Sequence, residues 1–150
     1  MSYFLNEDQK LMRDVAAKFA RTELMPIANE IDLTESTPEW VTKRCGELGF
    51  LGVFIPEEYG GIGADLTTAC LILEEIAKAS PAFAGVLSVE MILCPETVRI
   101  LGNEEQRKRL LPPSASGERV MAYSQTEPSG AANVAFHQTR LTPDGNAYRL

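Results

Sequence analysis

The sequence predicts a mainly α protein, in which an up-down helical bundle over residues 1–118 is followed by the first strands of a β domain over residues 119–150. Three observations predict this division. Apolar residues recur at helical spacing through most of the chain, and the pattern changes to alternation near Val120. Pro143-Asp144-Gly145-Asn146 then gives a strong hairpin signal. Because the return strand 147–150 has little room, we expect this sheet to be truncated.

The first two helices are predicted from their end signals. Asn6 is an N-cap residue, and the apolar spacing after it predicts an amphipathic helix to about Leu24, where Pro26 ends or bends it. Thr37-Pro38-Glu39 reads as a cap, a proline at the first helical position and an acid in the first turn. The helix that follows is predicted to stop at Gly49. Both helices are expected to build core and to carry no chemistry of their own.

A glycine-rich loop, Gly60-Gly61-Ile62-Gly63, follows these helices. Such a loop could cradle a phosphate group or could simply form a tight turn. A phosphate-binding loop of known type would continue with Gly-Lys-Ser/Thr or with a dinucleotide fingerprint, and neither is present. We therefore expect a tight turn with glycines at positive φ.

The later helices carry one unusual charge. Asp65 is predicted to cap a third helix to Ala79, and Ser80-Pro81 to start another. The run from Ala82 to Cys94 is apolar nearly all round, so it is expected to be buried on several sides. Glu90 is its only charge, and it either needs a partner when buried or reaches solvent at the helix edge. A further helix is then predicted to begin at Pro95 and to end at Gly102.

Composition excludes several classes of function. A hydrophobic content of 45% and a charged content of 23% are ordinary for a globular protein. Fourteen basic against 21 acidic residues give a net charge of −7, which argues against nucleic acid as a partner. Three cysteines without a Cys-x-x-Cys pair and one histidine predict no disulfide framework and no metal site. Without a signal sequence or a membrane-spanning run, a cytoplasmic location is expected.

The segment 123–133 is the main candidate for function. A loop of small polar residues at a strand end lets backbone N–H groups approach a ligand, although it could also be a connector between domains. The segment resembles the flavin-binding segment of the acyl-CoA dehydrogenase family, which typically reads aromatic-x-hydrophobic-Thr-Glu-Pro-x-x-Gly-Ser-Asp. Tyr123 and Thr126-Glu127-Pro128 fit this pattern. Gln125 stands where the family is usually apolar, and Ala131-Ala132-Asn133 stand in place of Gly-Ser-Asp.

Two further stretches carry the same resemblance. Pro56–Gly61 looks like a loop that supports the fold of that family, and residues 102–107 look like its Gly-x-x-Glu-Gln-basic helix start. Ala115-Ser116-Gly117-Glu118 resembles the end of the same region. The resemblance runs from Tyr3 onward and implies a bundle of the acyl-CoA dehydrogenase type followed by the first strands of a truncated β-barrel domain.

The resemblance also implies a chemistry. It implies FAD as cofactor, an acyl-CoA substrate that is desaturated between Cα and Cβ, and electron-transfer flavoprotein as the electron acceptor. It implies a homo-oligomer or a heteromer with a related subunit. The family's catalytic base lies in a C-terminal bundle, so no residue of this chain is expected to be catalytic.

By the same resemblance, three residues are expected along the flavin ring, namely Tyr123, Gln125 and Thr126. Ala131 and Ala132 would face the pyrophosphate and the CoA side. Candidate residues for the acyl pocket are Val89, Ile92 and Leu93, for which ordinary core packing is the alternative. Three functions stay open: an FAD-dependent acyl-CoA dehydrogenase, a non-catalytic scaffold or pairing subunit, and a related flavin oxidase or monooxygenase.

Overall fold

Helices account for most of the computed structural model, which describes residues 4–150. This confirms the predicted mainly α class, and a single small antiparallel sheet follows the helices within that range. The resemblance begins at Tyr3, which lies outside the described residues. The elements are α1 (Glu7–Phe19), α2 (Ala28–Thr34), α3 (Glu39–Glu47), α4 (Leu66–Ala79), α5 (Pro81–Ser88), α6 (Cys94–Leu101), α7 (Glu104–Ala115), β1 (Thr142–Asp144) and β2 (Ala147–Arg149).

The first helix begins at the predicted cap. The Asn6 side chain accepts a hydrogen bond from the Gln9 backbone N–H at 2.8 Å, and the Gln9 side chain accepts one from the Asn6 N–H at 3.1 Å. The helix then continues through a π-helical turn, Ala20–Leu24, and a 3₁₀ turn, Met25–Ile27, into α2. Pro26 therefore does not end the helical course of the chain. The sequence pattern did not predict α2.

The other helix ends also follow local chemistry. Pro38 is the N-cap residue of α3, whereas the sequence predicted it as the first helical residue. Gly49, which follows the end of α3, has a φ of 79°. The Asp65 carboxylate accepts hydrogen bonds from the Thr68 backbone N–H and hydroxyl group, each at 2.8 Å. Ser80 caps α5. These last two caps confirm the sequence prediction.

The loop between α3 and α4 runs through the core. Phe50, Leu51, Val53 and Ile55 are almost fully buried, and the Phe50 ring meets the Phe19 ring edge to face with 6.0 Å between centroids. A buried loop must satisfy its own backbone groups. It does so by pairing with its returning half, as in the hydrogen bonds from Ile62 N to Gly52 O, Gly63 N to Ile55 O and Ala64 N to Val53 O.

The glycine-rich part of this loop is a tight turn, as predicted. Gly60 has a φ of 83° and Gly63 a φ of 57°, both in the left-handed region that favours glycine. Gly61 is required for a different reason. A Cβ atom at this position would lie 1.9 Å from the carbonyl oxygen of Ile55.

The apolar segment from Ala82 to Cys94 is not buried on several sides, so that expectation is wrong. One side faces the core through Phe83, Leu87 and Met91. On the other side Val86 is 44% exposed and Leu93 is 45% exposed. The reason is that α5 packs mainly against α4, so part of its surface stays exposed.

The predicted strand near Val120 is also wrong. Residues 120–126 form no ladder, because the described chain supplies no neighbouring strand for them. A 3₁₀ turn, Val134–Phe136, lies between this segment and the hairpin. The division of the chain into two domains at residue 118 stays a prediction.

The predicted hairpin, in contrast, is present. β1 and β2 pair antiparallel with Pro143 opposite Tyr148, and Gly145 in the turn has a φ of 63°. Every residue of both strands is exposed. Across the described part of the chain, no helix has the length and apolar character needed to cross a membrane.

Candidate functional site

The candidate cofactor residues lie on one exposed stretch of chain. Tyr123 is 46% exposed, and Gln125, Thr126, Ala131 and Ala132 are exposed as well. The first three belong to the unpaired segment 120–126, whereas the two alanines belong to the loop that follows it. Their assignment to a flavin site stays a prediction.

The loop that follows this segment is closed by one side chain. The backbone of Glu127 exchanges two hydrogen bonds of 3.0 Å with the backbone of Gly130. The Glu127 carboxylate accepts further hydrogen bonds from the backbone N–H of Gln138 at 2.6 Å and of Thr139 at 3.1 Å, and from the Ser129 hydroxyl group at 3.1 Å. We call residues 127–139 the clamped loop.

Hydrogen bonding also stabilises the ionised form of this carboxylate. The Thr139 side chain and the backbone N–H groups of Gln138 and Thr139 lower the pKa of Glu127 to about 2. Sequence reasoning missed this role of Glu127, because its backbone donors lie eleven and twelve residues further along the chain. The Thr-Glu-Pro signature marks the residue, but no periodic pattern points to those partners.

The clamped loop presents unpaired hydrogen-bond donors. Within residues 4–150, the backbone N–H groups of Ala131, Ala132, Asn133 and Val134 donate to no protein acceptor. The segment is exposed, so these donors are accessible from solvent. A run of free N–H groups on a loop of small residues suits an anionic ligand such as a phosphate group.

The candidate acyl-pocket residues lie in a second place. Val89, Ile92 and Leu93 belong to a π-helical turn, Val89–Leu93, that joins α5 directly to α6. Pro95 therefore lies inside a continuous helical course and does not begin it. Ile92 packs against the core, which favours the packing alternative for this residue, whereas Leu93 is largely exposed.

A large pocket of the bundle lies apart from both of these places. It has a volume of about 500 Å³ and lies between the start of α1 and the start of α4, where Gln9 donates to the Asp65 carboxylate at 2.8 Å. None of the candidate cofactor or acyl-pocket residues lines it. Among residues 4–150, no three His, Cys, Asp or Glu side chains are grouped so that they could hold a metal ion.

Glu90 is buried inside the π-helical turn. It is 6% exposed, and its carboxylate has no hydrogen-bond or ion-pair partner among residues 4–150. The side chain is therefore mostly buried, although its carboxylate oxygens are not fully removed from solvent. Burial raises the pKa of Glu90. Burial also raises the pKa of Cys45 to about 12, to which the charge of Glu90 adds, so Cys45 stays a thiol.

Removal of this buried acid is expected to stabilise the protein. At pH 7 we expect Glu90→Met to raise the free energy of unfolding by about 1–3 kcal/mol, since it replaces an unpaired polar group with an apolar side chain of similar size. A raised pKa in the folded state means that the ionised form opposes folding. The stability linked to protonation of Glu90 is full below its ordinary pKa of 4.5 and is lost as the pH rises through the raised value.

Urea unfolding at pH 4 and pH 7 measures this effect. The gain in Glu90→Met should be larger at pH 7 than at pH 4, and Glu90→Gln should give part of it. Glu74→Met serves as the control, because the Glu74 side chain is 67% exposed on α4. A gain that is the same at both pH values would contradict the prediction.

Known proteins resemble this chain over almost its whole length. The family model described as "Acyl-CoA dehydrogenase, N-terminal domain" matches residues 6–118. The short-chain specific acyl-CoA dehydrogenase of Clostridium acetobutylicum is 35% identical over 148 residues, which cover 99% of this chain and 39% of that protein. The chain thus spans about two fifths of the length of this relative.

Two solved structures show the same arrangement of helices. Butyryl-CoA dehydrogenase from Megasphaera elsdenii superimposes with a TM-score of 0.88 and 28% identity, over 99% of this chain and 40% of that one. A chain in a structure described as the electron transferring flavoprotein of Acidaminococcus fermentans, concerned with flavin-based electron bifurcation, gives a TM-score of 0.90 and 36% identity. That match covers 99% of this chain and 39% of that one.

Proposed function

Because this chain belongs to the acyl-CoA dehydrogenase family, we propose that it serves as the N-terminal part of an FAD-dependent enzyme that desaturates an acyl-CoA thioester between Cα and Cβ. The observation that carries the proposal is the match of the family's N-terminal domain over residues 6–118. The close superposition on butyryl-CoA dehydrogenase supports it. Since the chain spans 39% of its short-chain specific relative, the activity proposed is that of the whole protein.

The residues of the clamped loop fit the proposed cofactor in their chemistry. Bound FAD supplies the acceptor for the hydride that leaves Cβ. The free N–H groups of Ala131 and Ala132 would donate to its pyrophosphate. Tyr123, Gln125 and Thr126 would lie along the isoalloxazine ring, where the ring of Tyr123 excludes water and the other two offer polar groups. No residue of this chain is assigned the role of catalytic base.

The substrate would meet the chain at two places. We assign the acyl chain to the turn that carries Val89, Ile92 and Leu93, and the CoA side to Ala132. The exposed apolar surface of Leu93 supports the first assignment, because an acyl chain removes such a surface from water. The similarity to a chain from an electron transferring flavoprotein structure supports an electron-transfer flavoprotein as the partner. We further propose that the protein assembles with itself or with a related subunit.

A second candidate function has one observation in its favour. Ala132 stands where the family segment has a serine, and alanine has no hydroxyl group to donate to a phosphate oxygen. Loss of such a bond to a charged group costs about 1.5–3 kcal/mol, or roughly ten- to a hundredfold in affinity. A chain that bound no FAD would be a non-catalytic scaffold or pairing subunit.

Titration of FAD into the 150-residue chain, followed by flavin fluorescence, separates the two candidates. We expect wild type to bind FAD, and Ala132→Ser to bind it about ten- to a hundredfold more tightly, because the added hydroxyl group supplies the missing donor. We expect no desaturation of butyryl-CoA by the isolated chain, since it offers no catalytic base. Ala147→Ser, on the exposed hairpin, serves as the control.

Each outcome has a clear meaning. No binding by either protein would overturn the proposed cofactor role of this chain and support the scaffold function. Equal affinities for wild type and Ala132→Ser would place the pyrophosphate away from residue 132. In the flavin-loaded whole protein, bleaching by butyryl-CoA without oxygen would separate a dehydrogenase from an oxidase or monooxygenase.

A further inference from the structure

Glu127 joins the two ends of the loop that carries the free N–H donors. Its carboxylate reaches from the turn at residues 127–130 to the backbone of Gln138 and Thr139. We propose that Glu127 is a positioning residue for the cofactor, because its carboxylate holds the clamped loop closed and so fixes the donors of Ala131–Val134 before the cofactor arrives. This inference rests on the proposed function, since it takes FAD as the ligand of those donors.

The clamp depends on a carboxylate. Oε2 accepts from Gln138 N–H and from the Ser129 hydroxyl group, while Oε1 accepts from Thr139 N–H, so both oxygens are engaged. A glutamine at this position would keep one acceptor oxygen and turn an NH₂ group towards a backbone N–H. Two donors would then face each other. Glu127→Gln should open the loop, although it hardly changes the volume of the side chain.

Besides the clamp, this loop is held by hydrogen bonds between residues close together in sequence. Residues 131–136 are exposed, so apolar burial contributes little to its order. Beside the clamp there are the backbone pair of Glu127 and Gly130, two backbone hydrogen bonds in the 3₁₀ turn Val134–Phe136, and a contact between the His137 ring and the Ala131 carbonyl oxygen at 3.3 Å. The Asn133 side chain also accepts from Ala135 N–H. The clamp links residues eleven and twelve positions apart, so its removal should reduce the order of the loop. Binding would then also have to cover the cost of ordering it.

The charged surroundings of the carboxylate agree with this role. Arg140 directly follows the clamped loop, and its guanidinium group donates to the carbonyl oxygens of His137 and Thr139. The negative charge of Glu127 is thus stabilised by N–H and O–H donors. Glu127 is a carboxylate at neutral pH, and its low pKa means that the clamp also stays closed in mild acid. Its contribution is present above the ordinary value of 4.5 and is lost as the pH falls through about 2.

The clamp itself is tested by NMR on the 150-residue chain without cofactor. We expect the amide protons of Gln138 and Thr139 to titrate together with the Glu127 carboxyl group, with an apparent pKa of about 2. In Glu127→Gln this titration should vanish, and both amides should exchange faster with solvent. If the two amides do not follow Glu127 in wild type, the clamp is absent and the inference is overturned.

The positioning role is tested by titration with FAD. We expect Glu127→Gln to weaken FAD binding by about tenfold or more, because the donors are no longer held in place, while the melting temperature of the bundle stays unchanged. Ser129→Ala is the matched control. It removes one of the three partners and leaves the links to Gln138 and Thr139, so it should weaken binding less than threefold.

The outcomes separate this inference from the proposed function. Equal FAD affinity of wild type and Glu127→Gln would overturn the positioning role and leave the proposed cofactor in place. An effect of Ser129→Ala as large as that of Glu127→Gln would also overturn it, because the backbone links would then not matter. Failure of wild type to bind FAD would overturn the proposed cofactor and the positioning role together, even where NMR confirms the clamp.

Discussion

Replacing Gly61 with alanine is expected to lower the free energy of unfolding by about 3 kcal/mol or more. The new Cβ would lie 1.9 Å from the carbonyl oxygen of Ile55 and 2.5 Å from its carbonyl carbon. These are backbone atoms of a fully buried residue, so no side-chain rotation relieves the clash. The loop must separate from its returning half, which breaks the hydrogen bond from Gly63 N to Ile55 O. Thermal and urea unfolding of the variant measure the loss.

Alanine variants at two other glycines distinguish the cost of a steric clash from the cost of backbone strain. Gly60 has a φ of 83°, and a Cβ there would meet nothing within 4 Å. Gly60→Ala should therefore cost only about 1–2 kcal/mol, which is the price of a left-handed alanine. Gly85 lies in α5 with open space around it, so Gly85→Ala should stabilise by about 0.5–1 kcal/mol. A loss at Gly60 that equals the loss at Gly61 would contradict the steric explanation.

Helix starts could be predicted from the sequence because their chemistry is local. Asn6, Asp65 and Ser80 each cap a backbone N–H three residues further along, so all the information lies within one helical turn. The hairpin turn at Gly145 is equally local. The tight turn at residues 60–63 could also be predicted, because it follows from backbone sterics alone.

Features that depend on distant partners could not be predicted in this way. Alternation near Val120 suits a strand, but a strand also needs a neighbour, and none lies within residues 4–150. The apolar run from Ala82 suits burial all round, yet burial depends on how many elements pack against it. Pro26 signals that a helix ends or bends, and the 3₁₀ turn around it leads into α2. In each case the tertiary context, and not the local pattern, decides the structure.

The candidate site shows the same division. The sequence predicted the loop and its resemblance to a flavin-binding segment, but the clamp joins Glu127 to backbone groups that no side-chain pattern marks. The burial of Glu90 was open in the sequence, because a lone acid in an apolar helix is compatible with either surface or core. Packing of the bundle settles it. Motifs thus mark the residues that matter, whereas the fold decides what those residues contact.

Gly46→Ala is expected to be similarly destabilising, by about 3 kcal/mol or more, at the junction from which the chain leaves the bundle. A Cβ on Gly46 in α3 would lie 2.2 Å from the carbonyl oxygen of Ser116 and 2.8 Å from the backbone nitrogen of Gly117. The end of α7 therefore lies backbone against backbone on α3. Gly117 has a φ of 74°, and a Cβ there would lie 2.7 Å from Thr42 O, so both sides of the contact require glycine.

Gly49→Ala is the matched control for this junction, because Gly49 follows the same helix α3. It has a φ of 79°, and a Cβ there would meet only Ile62 Cγ2 at 3.6 Å, so its cost should be the backbone strain of about 1–2 kcal/mol. Urea unfolding compares the two variants. Hydrogen exchange should show faster exchange at the end of α7 in Gly46→Ala and not in Gly49→Ala. If the two variants lose the same free energy of unfolding, α3 and the end of α7 can separate at little cost. This contact would then not hold the chain beyond Gly117 against the bundle.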